Sequence, residues 1–477
     1  MKLTVLSKEE IEKIHHTTLK VLNEIGVAVR NKHALELLKR HGFKLDGRGD
    51  VVRFPKEEIE KTINAFSNDI DIYDREGNLA LKLGRNKVYF GPGGGAPNLL
   101  DLQGNRRPST KEDVAKVAKI CDALPNMDFV MSDITAQDQP LKVQDLHELE
   151  AMILNTSKPL VPVCLGNGHF ADTVYRIHQA VHPGDAGVGK PFIILYFQPS
   201  SPLQLDKEPL SRLLKAVEFN IPLIISGAMT AGGTAPVTIA GALVTGNAEV
   251  LAAMTIARLV NEKARIIYGV GGVAMDLYTG NFCYGSPELG FLSGVAVGEI
   301  AEYYDFATWG RGACSDAKVL DAQFGSEVFM NAIIPALGGV NLIHDAGRMD
   351  FGKSGCLEAL VLADEIIDAC RRVIRGFKVD EEHLAFEAIK EIGVGGTFLS
   401  SRHTLKNHKE ELWAPKLFTR LDFTAWINSD KKDIEQRAHD RVEKILKEHR
   451  PKEVDRDLQE EIHRIVMEGE RAVLSAS

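Results

Sequence analysis

Eight short apolar runs, each followed by a helical pattern, constrain this chain more than any other feature. They are KVYFGPGGG, MDFVMSDIT, PLVPVCLG, PFIILYFQPSS, IPLIISGAMTAGG, RIIYGVGGVAMD, FATWGRGACSD and VNLIHDAGR, all within residues 86–377. Each opens on consecutive Val, Ile, Leu, Phe or Tyr without polar alternation. Parallel strands covered on both faces have that pattern. Strands alternating with helices build βα units. Eight units over roughly 290 residues predict a (β/α)8 TIM barrel. An open doubly wound sheet is the competing arrangement. Against it, no Gly-x-Gly-x-x-Gly opens the first unit with an acidic residue at the spacing a dinucleotide requires.

Residues 1–85 read as an α+β extension before the barrel, a lid or oligomerisation region without chemistry of its own. SKEEIEKIHHTTLKVLNEIG is an amphipathic helix capped by Ser7, with Glu10 completing a capping box and Gly26 ending it. Asn31 and Gly42 bracket a second helix. VVRFPKEEIEKTINAF gives a strand and a helix, and DIDIYDREGNLALKL alternates by twos about a glycine turn, which predicts a hairpin. Residues 378–477 read as a helical extension. Its last stretch carries charges paired at i,i+4 on a solvated face.

The chain has 477 residues, 44% of them hydrophobic, with a formal charge of -9. That length supports a large core and more than one structural region. The acidic balance argues against nucleic acid or an anionic membrane as partner, since both reward clustered Lys and Arg. No run approaches the roughly 20 apolar residues of a membrane span. MKLTVLSKEEIEKIHH lacks the apolar core of a signal peptide. The expected location is the cytoplasm. Cys121, Cys164, Cys283, Cys314, Cys356 and Cys370 form no CxxC, CxC or CC pair. They read as small buried hydrophobes, not as a disulfide framework or zinc site, and no metal is expected.

A barrel of this kind places its site at the C-terminal ends of the strands. Asp133, Gln198, Tyr268, Asp276, Asp316, His344 and Asp345 fall there, with the aromatics Tyr89, Phe90, Tyr196, Phe197, Tyr278, Phe282 and Tyr284. Carboxylates and one histidine suit polar anchoring or acid/base work, and aromatics suit an alkylated ammonium. Ordinary core packing is the bland alternative for most of the aromatics. The first loop carries Gly91, Gly93, Gly94 and Gly95, then Arg106 and Arg107, but no Gly-Lys-Ser/Thr closes it as a phosphate loop would require. No lysine ends a strand for a Schiff base, no glutamate pair sits at strands four and seven, and no His-x-His ends the first strand. These absences argue against an aldolase, a retaining glycosidase and a metal-dependent hydrolase.

GPGGGAPNLLDLQGNRRPSTKEDVA, YFQPSSPLQL, GNAEVLAAM, GVGGVAMDLYTGNFCYGSPE, SDAKVLDAQFGSE, NLIHDAGRMDFG and GTFLSSRHTLKNHKEELWAPKLFTR follow one another in this order. They resemble the trimethylamine methyltransferase family over nearly the whole chain. The resemblance implies a (β/α)8 barrel that hands a methyl group to cobalamin on a separate corrinoid protein. Founding members use pyrrolysine, whereas this chain runs through that region in ordinary residues. It therefore resembles the branch that takes methyl groups from quaternary amines such as glycine betaine, proline betaine, carnitine or γ-butyrobetaine. On that reading His344 contacts or orients the substrate, Gln198 and Tyr268 are polar walls, and Tyr89, Phe90 and Phe197 face the cation. Asp133 is a further substrate contact. Gly93, Gly94 and Gly95 meet the corrinoid or shape the mouth, and Arg106 and Arg107 dock its carrier or form a solvated rim. No Asp-x-His-x-x-Gly corrinoid-ligand motif is present, because Asp145-Leu146-His147 is followed by Glu148, Leu149 and Glu150. The cobalamin is therefore expected on a partner, and a homo-oligomer is plausible. The alternatives are a non-catalytic amine-binding barrel and an unrelated barrel lyase.

Overall fold

Six of the eight apolar runs become regular strands: Tyr89–Pro92, Leu195–Phe197, Leu223–Ser226, Ile266–Gly269, Trp309–Arg311 and Leu342–Ala346. The second and third runs make single parallel bridges, Val130 with Leu160 and Leu160 with Ile193. The structure is a computed structural model that describes residues 1–47, 49–163, 168–184 and 188–475.

Parallel pairing joins 195–197 to 223–226, and 223–226 to 266–269. Tyr268 bridges to Thr308. Leu342–Ala346 pairs with Trp309–Arg311 on one side and Tyr89–Pro92 on the other. Asp128 N donates to Phe90 O at 2.6 Å, which links the first run to the second. Each segment is thus bonded to the next, and the eighth to the first, through short sheets and not one continuous ladder. A helix follows every segment: Lys111–Ala123, Gln144–Asn155, Gly168–Val181, Lys207–Glu218, Ile239–Val260, Val295–Tyr304, Ala322–Leu337 and Leu357–Arg375.

The segments are apolar on both faces because each face meets a different core. One core takes Phe129, Met131, Val161, Ile194, Tyr196, Ile224, Ile267, Ala307, Trp309 and Leu342, with Tyr89 and Val163 packed against it. All eight segments contribute to it and none of the eight helices does. The other core packs the opposite side chains of the same segments, such as Phe90, Phe197 and Tyr268, against the helices. Successive side chains alternate between the two, as the pleat requires.

Helix Ile239–Val260 corrects one expectation. It is long and apolar enough to cross a membrane by length and composition, yet it is mostly buried within this fold. Its interior position explains why it is apolar all round.

The N-terminal caps form as expected: Ser7 and Glu10 make a reciprocal capping box, and Asn31 accepts from Ala34 N. The hairpin Asp71–Tyr73 and Leu79–Lys82 sends Ile72 and Leu81 into the inner core. Tyr89 at the start of the first segment meets Lys82 N through its hydroxyl at 3.2 Å. The hairpin therefore closes the inner core at the foot, the end where the segments begin. The last two helices, Ile434–Glu448 and Arg456–Ser475, pack back on the helices of the ring.

Candidate active site

The inner core changes character at the mouth, where the segments end. His344 lies on Leu342–Ala346, in register with Arg311, while Leu342 is in register with Trp309. The period of two therefore puts Trp309, Arg311 and His344 on the inner face together. The His344 ring stacks on Trp309 with centroids 4.3 Å apart and planes 15° from parallel. Phe129 and Tyr196 tilt toward the same indole at 5.7 and 5.9 Å. His344 is buried; its Nδ1 lies 3.2 Å from Asp345 Oδ1, while its Nε2 has no hydrogen-bond partner among the described residues, and neither has Trp309 Nε1. Burial pushes the imidazole pKa down, and Arg311 and Arg348 outweigh part of the opposing pull of Asp345. The ring is neutral near pH 7.

Asp345 follows at φ +80° and is fully buried. Arg311 Nη1 donates to its Oδ2 at 2.7 Å and Arg348 Nη1 to its Oδ1 at 3.2 Å. Burial opposes ionisation, but His344, Arg311 and Arg348 reverse that and hold the carboxyl well below its usual range. Arg311 also donates from Nε to Gly271 O at 3.3 Å and lies over the Tyr284 ring at 5.2 Å.

Asp133, at the end of the second segment, has φ +57° and 0% exposure, and neither carboxylate oxygen has a partner among the described residues. Burial pushes its pKa up to about 7, with Arg348 lowering and Asp345 raising it. Asp133 and Asp345 both hold a left-handed backbone that residues with a Cβ seldom adopt, and such strain concentrates at functional sites.

The glycine loop serves this cluster. A Cβ on Gly93 would sit 2.4 Å from Asp345 Oδ1 and 2.6 Å from Arg348 Nη1. One on Gly94 would meet Val163 Cγ2 at 2.1 Å, and Gly95 has φ +85°. Gly93 O accepts from Asp133 N at 2.8 Å. The space Gly93 leaves is thus filled by the charged side chains of Asp345 and Arg348, and that of Gly94 by Val163. Gly355 does the same for Asp133, since its Cβ would lie 2.4 Å from Oδ2.

Three expected pocket residues face the other way. Tyr268 is fully buried on the helix side, donating its hydroxyl to Asn247 Oδ1 of the helix Ile239–Val260 at 2.9 Å. Phe90 and Phe197 also belong to the outer core. Tyr89 faces inward but sits at the foot. Gln198 is half-buried at the mouth, in a cleft with Arg212, Thr230, Met275 and Phe282. Arg106 and Arg107 are engaged with Asp350 at 3.2 Å and with Asp113 at 2.6 Å. Asp276 caps its own turn by accepting from Tyr278 N, and Asp316 accepts from Tyr284 N, both at 2.9 Å. Cys164 lies outside the described residues, and Cys121, Cys314, Cys356 and Cys370 are buried free thiols. Sequence reasoning missed Trp309, Arg311, Arg348 and Gly355. The two-residue spacing of Trp309 and Arg311 puts them on one face of a strand but does not say which face.

At the ends of parallel strands of an α/β protein, a buried acid with no partner among the described residues, Asp133, thus lies near Arg348 and Asp345, and Asp345 is held by Arg311 and Arg348. The family model described as trimethylamine methyltransferase (MTTB) matches residues 1–472, and the chain belongs to that family. It is 31% identical to the trimethylamine methyltransferase MttB of Methanosarcina barkeri (strain Fusaro / DSM 804), over 99% of this chain and 96% of that one. It is 30% identical to the glycine betaine methyltransferase of Desulfitobacterium hafniense (strain Y51), over 99% and 98%. Among solved structures, the monomethylamine methyltransferase of Methanosarcina barkeri shares the fold at TM-score 0.50 and 10% identity, over 99% of this chain and 88% of that one.

Proposed function

We propose that this chain takes a methyl group from a betaine, a quaternary amine carrying its own carboxylate. On this reading the ring of eight segments is a (β/α)8 barrel, and the methyl group passes to cobalamin on a separate corrinoid protein. Glycine betaine, proline betaine, carnitine and γ-butyrobetaine fit the class.

The charge count at the mouth carries the reading. Arg311 and Arg348 face one firmly ionised carboxylate, Asp345, and one that keeps its proton until about pH 7, Asp133. With Asp133 protonated the cluster is net positive. That field repels a bare cation such as trimethylammonium. A betaine brings an anionic group for the arginines and a cation for the Trp309, Tyr196 and Phe129 rings and for Asp133. Arg311 is bonded to the protein through Nε and Nη1, which leaves Nη2 for a carboxylate.

Bound to its carrier, cob(I)alamin supplies the nucleophile that accepts the methyl group. The breaking C–N bond leaves its electron pair on nitrogen, so a neutral tertiary amine departs and no general acid is required. His344, neutral and stacked, orients the substrate and is not a proton donor. The protein's work is to position the methyl carbon and exclude water. Asp133, His344 Nε2 and Trp309 Nε1, buried and without partners among the described residues, are the groups that would meet the substrate and its methyl acceptor from the mouth.

Calorimetry of amine binding tests the substrate half. Betaines should bind and trimethylamine should not. Near pH 6, binding should release protons as Asp133 ionises beside the cation, visible as a heat that varies with the buffer's ionisation enthalpy. Equal affinity for trimethylamine, or betaine binding unaffected by Arg311→Met, would count against the betaine.

A further inference from the structure

We infer that Tyr284 is a positioning residue of the substrate site: its ring sets the plane of the Arg311 guanidinium and so decides where the free Nη2 of that arginine points. On the betaine reading, on which this role rests, Nη2 meets the substrate's carboxylate. Of the aromatics that end the sixth run and its loop, Tyr278 is fully exposed and Phe282 is 44% exposed. Tyr284 is half-buried, with its ring centre 5.2 Å from the Arg311 guanidinium carbon.

Two hydrogen bonds do not fix a planar guanidinium. Arg311 donates from Nε to Gly271 O at 3.3 Å and from Nη1 to Asp345 Oδ2 at 2.7 Å. The N–H donors lie in the plane of the group. The plane can still tilt about the line through those two corners, and tilting swings Nη2. An aromatic ring against the cation attracts it and closes one side. Tyr284 is the ring that lies there.

The ring can hold Arg311 because its own backbone is held. Tyr284 N donates to Asp316 Oδ1 at 2.9 Å, and Tyr284 O accepts from Asn331 Nδ2 and from Cys314 Sγ, both at 3.3 Å. Cys314 and Asp316 follow the seventh segment, which carries Arg311, and Asn331 lies on the helix after it. One end of the loop 270–284 is thus tied to the unit that carries Arg311. The other end is fixed at Gly271, where a Cβ would lie 2.3 Å from Gly227 O and 2.5 Å from Ser226 Oγ. Both ends of the loop converge on one guanidinium, while Leu277 and Tyr278 at its tip are exposed.

The far end of the ring meets Gly352, where a Cβ would sit 2.9 Å from Tyr284 Cζ. Gly352 O accepts from Arg348 Nε at 3.1 Å and from Arg348 Nη2 at 2.9 Å. The ring therefore reaches from Arg311 to the anchor of Arg348, the two cations that hold Asp345. Simple space-filling needs no aromatic face here, so leucine separates volume from ring and phenylalanine keeps both.

The test is a double-variant cycle on the full chain. Glycine betaine binding is read by calorimetry and, for weak variants, by broadening of the betaine methyl proton signal. Tyr284→Leu should bind about fivefold more weakly than wild type. Tyr284→Phe, which restores the ring, should recover that loss to within about twofold. In an Arg311→Met background Tyr284→Leu should cost less than about twofold, because the group it positions is gone. Equal weakening in both backgrounds overturns the inference, as does Tyr284→Phe as weak as Tyr284→Leu. A Tyr284→Leu chain that loses its fold by circular dichroism makes Tyr284 a packing residue and also overturns it. If wild type binds no betaine, the betaine reading fails and this role with it. If Arg311→Met weakens binding and Tyr284→Leu does not, this role alone fails.

Discussion

Asp133 concentrates what the site does in one side chain. It is buried, has no partner among the described residues and keeps its proton to about pH 7. A carboxyl whose folded pKa lies above its unfolded value near 4 favours folding below that value and loses the advantage as pH rises through about 7. The folded state then binds the extra proton, so stability falls with rising pH across that window. Asp133→Asn removes this dependence. Against wild type it should gain stability progressively between about pH 4 and 7, by roughly 3–4 kcal/mol at pH 8 at most, read by urea unfolding at several pH values. The same variant should weaken betaine binding at least tenfold, because the acid that faces the cation is gone. Asp133 and His344 were legible in the sequence as polar residues at strand ends. Arg311 and Arg348 were not, because a loop arginine reads as solvated rim until a buried partner from another segment, Asp345, is seen across from it.

Elements show why the sequence did not tell which aromatics face inward. In 193–197, Ile-Ile-Leu-Tyr-Phe is apolar on both faces, so nothing in the pattern tells which residues point inward. The existence of the strand was legible and its parity was not. Tyr196 faces the inner core and Phe197 the helices. Phe197→Leu should therefore cost stability, about 1–1.5 kcal/mol, with betaine affinity unchanged. Tyr196→Leu should weaken binding severalfold; thermal melts and calorimetry on both variants separate the two effects. Capping, by contrast, is local chemistry, and Ser7 and Asn31 each hold the helix start that the sequence assigned them. Glu365 shows the opposite case, a helix residue whose role appears only when a distant segment arrives. Glu365→Ala leaves three N–H groups of 416–418 without their acceptor and should cost about 1–3 kcal/mol, seen as a lower melting temperature and faster hydrogen exchange at those amides.

At the scale of the molecule, each part answers a different requirement. The eight runs build two cores, the hairpin closes one end, and the glycine-lined other end leaves room for a charged cluster that no packing argument requires. The eightfold order was readable because helices and strands alternate with different periods. The segment 377–427 was not readable as a surface, since its leucines and phenylalanines look like any helix's buried face until the fold leaves them outside.

The measurement that goes most directly to function combines the purified chain, reduced free cobalamin and one quaternary amine at a time, followed by absorbance and amine analysis. With a betaine, the cob(I)alamin band should fall as the matching tertiary amine appears in equal amount, and trimethylamine should give no change. Transfer from trimethylamine alone, or betaine binding with no loss of the band, would contradict a betaine methyltransferase.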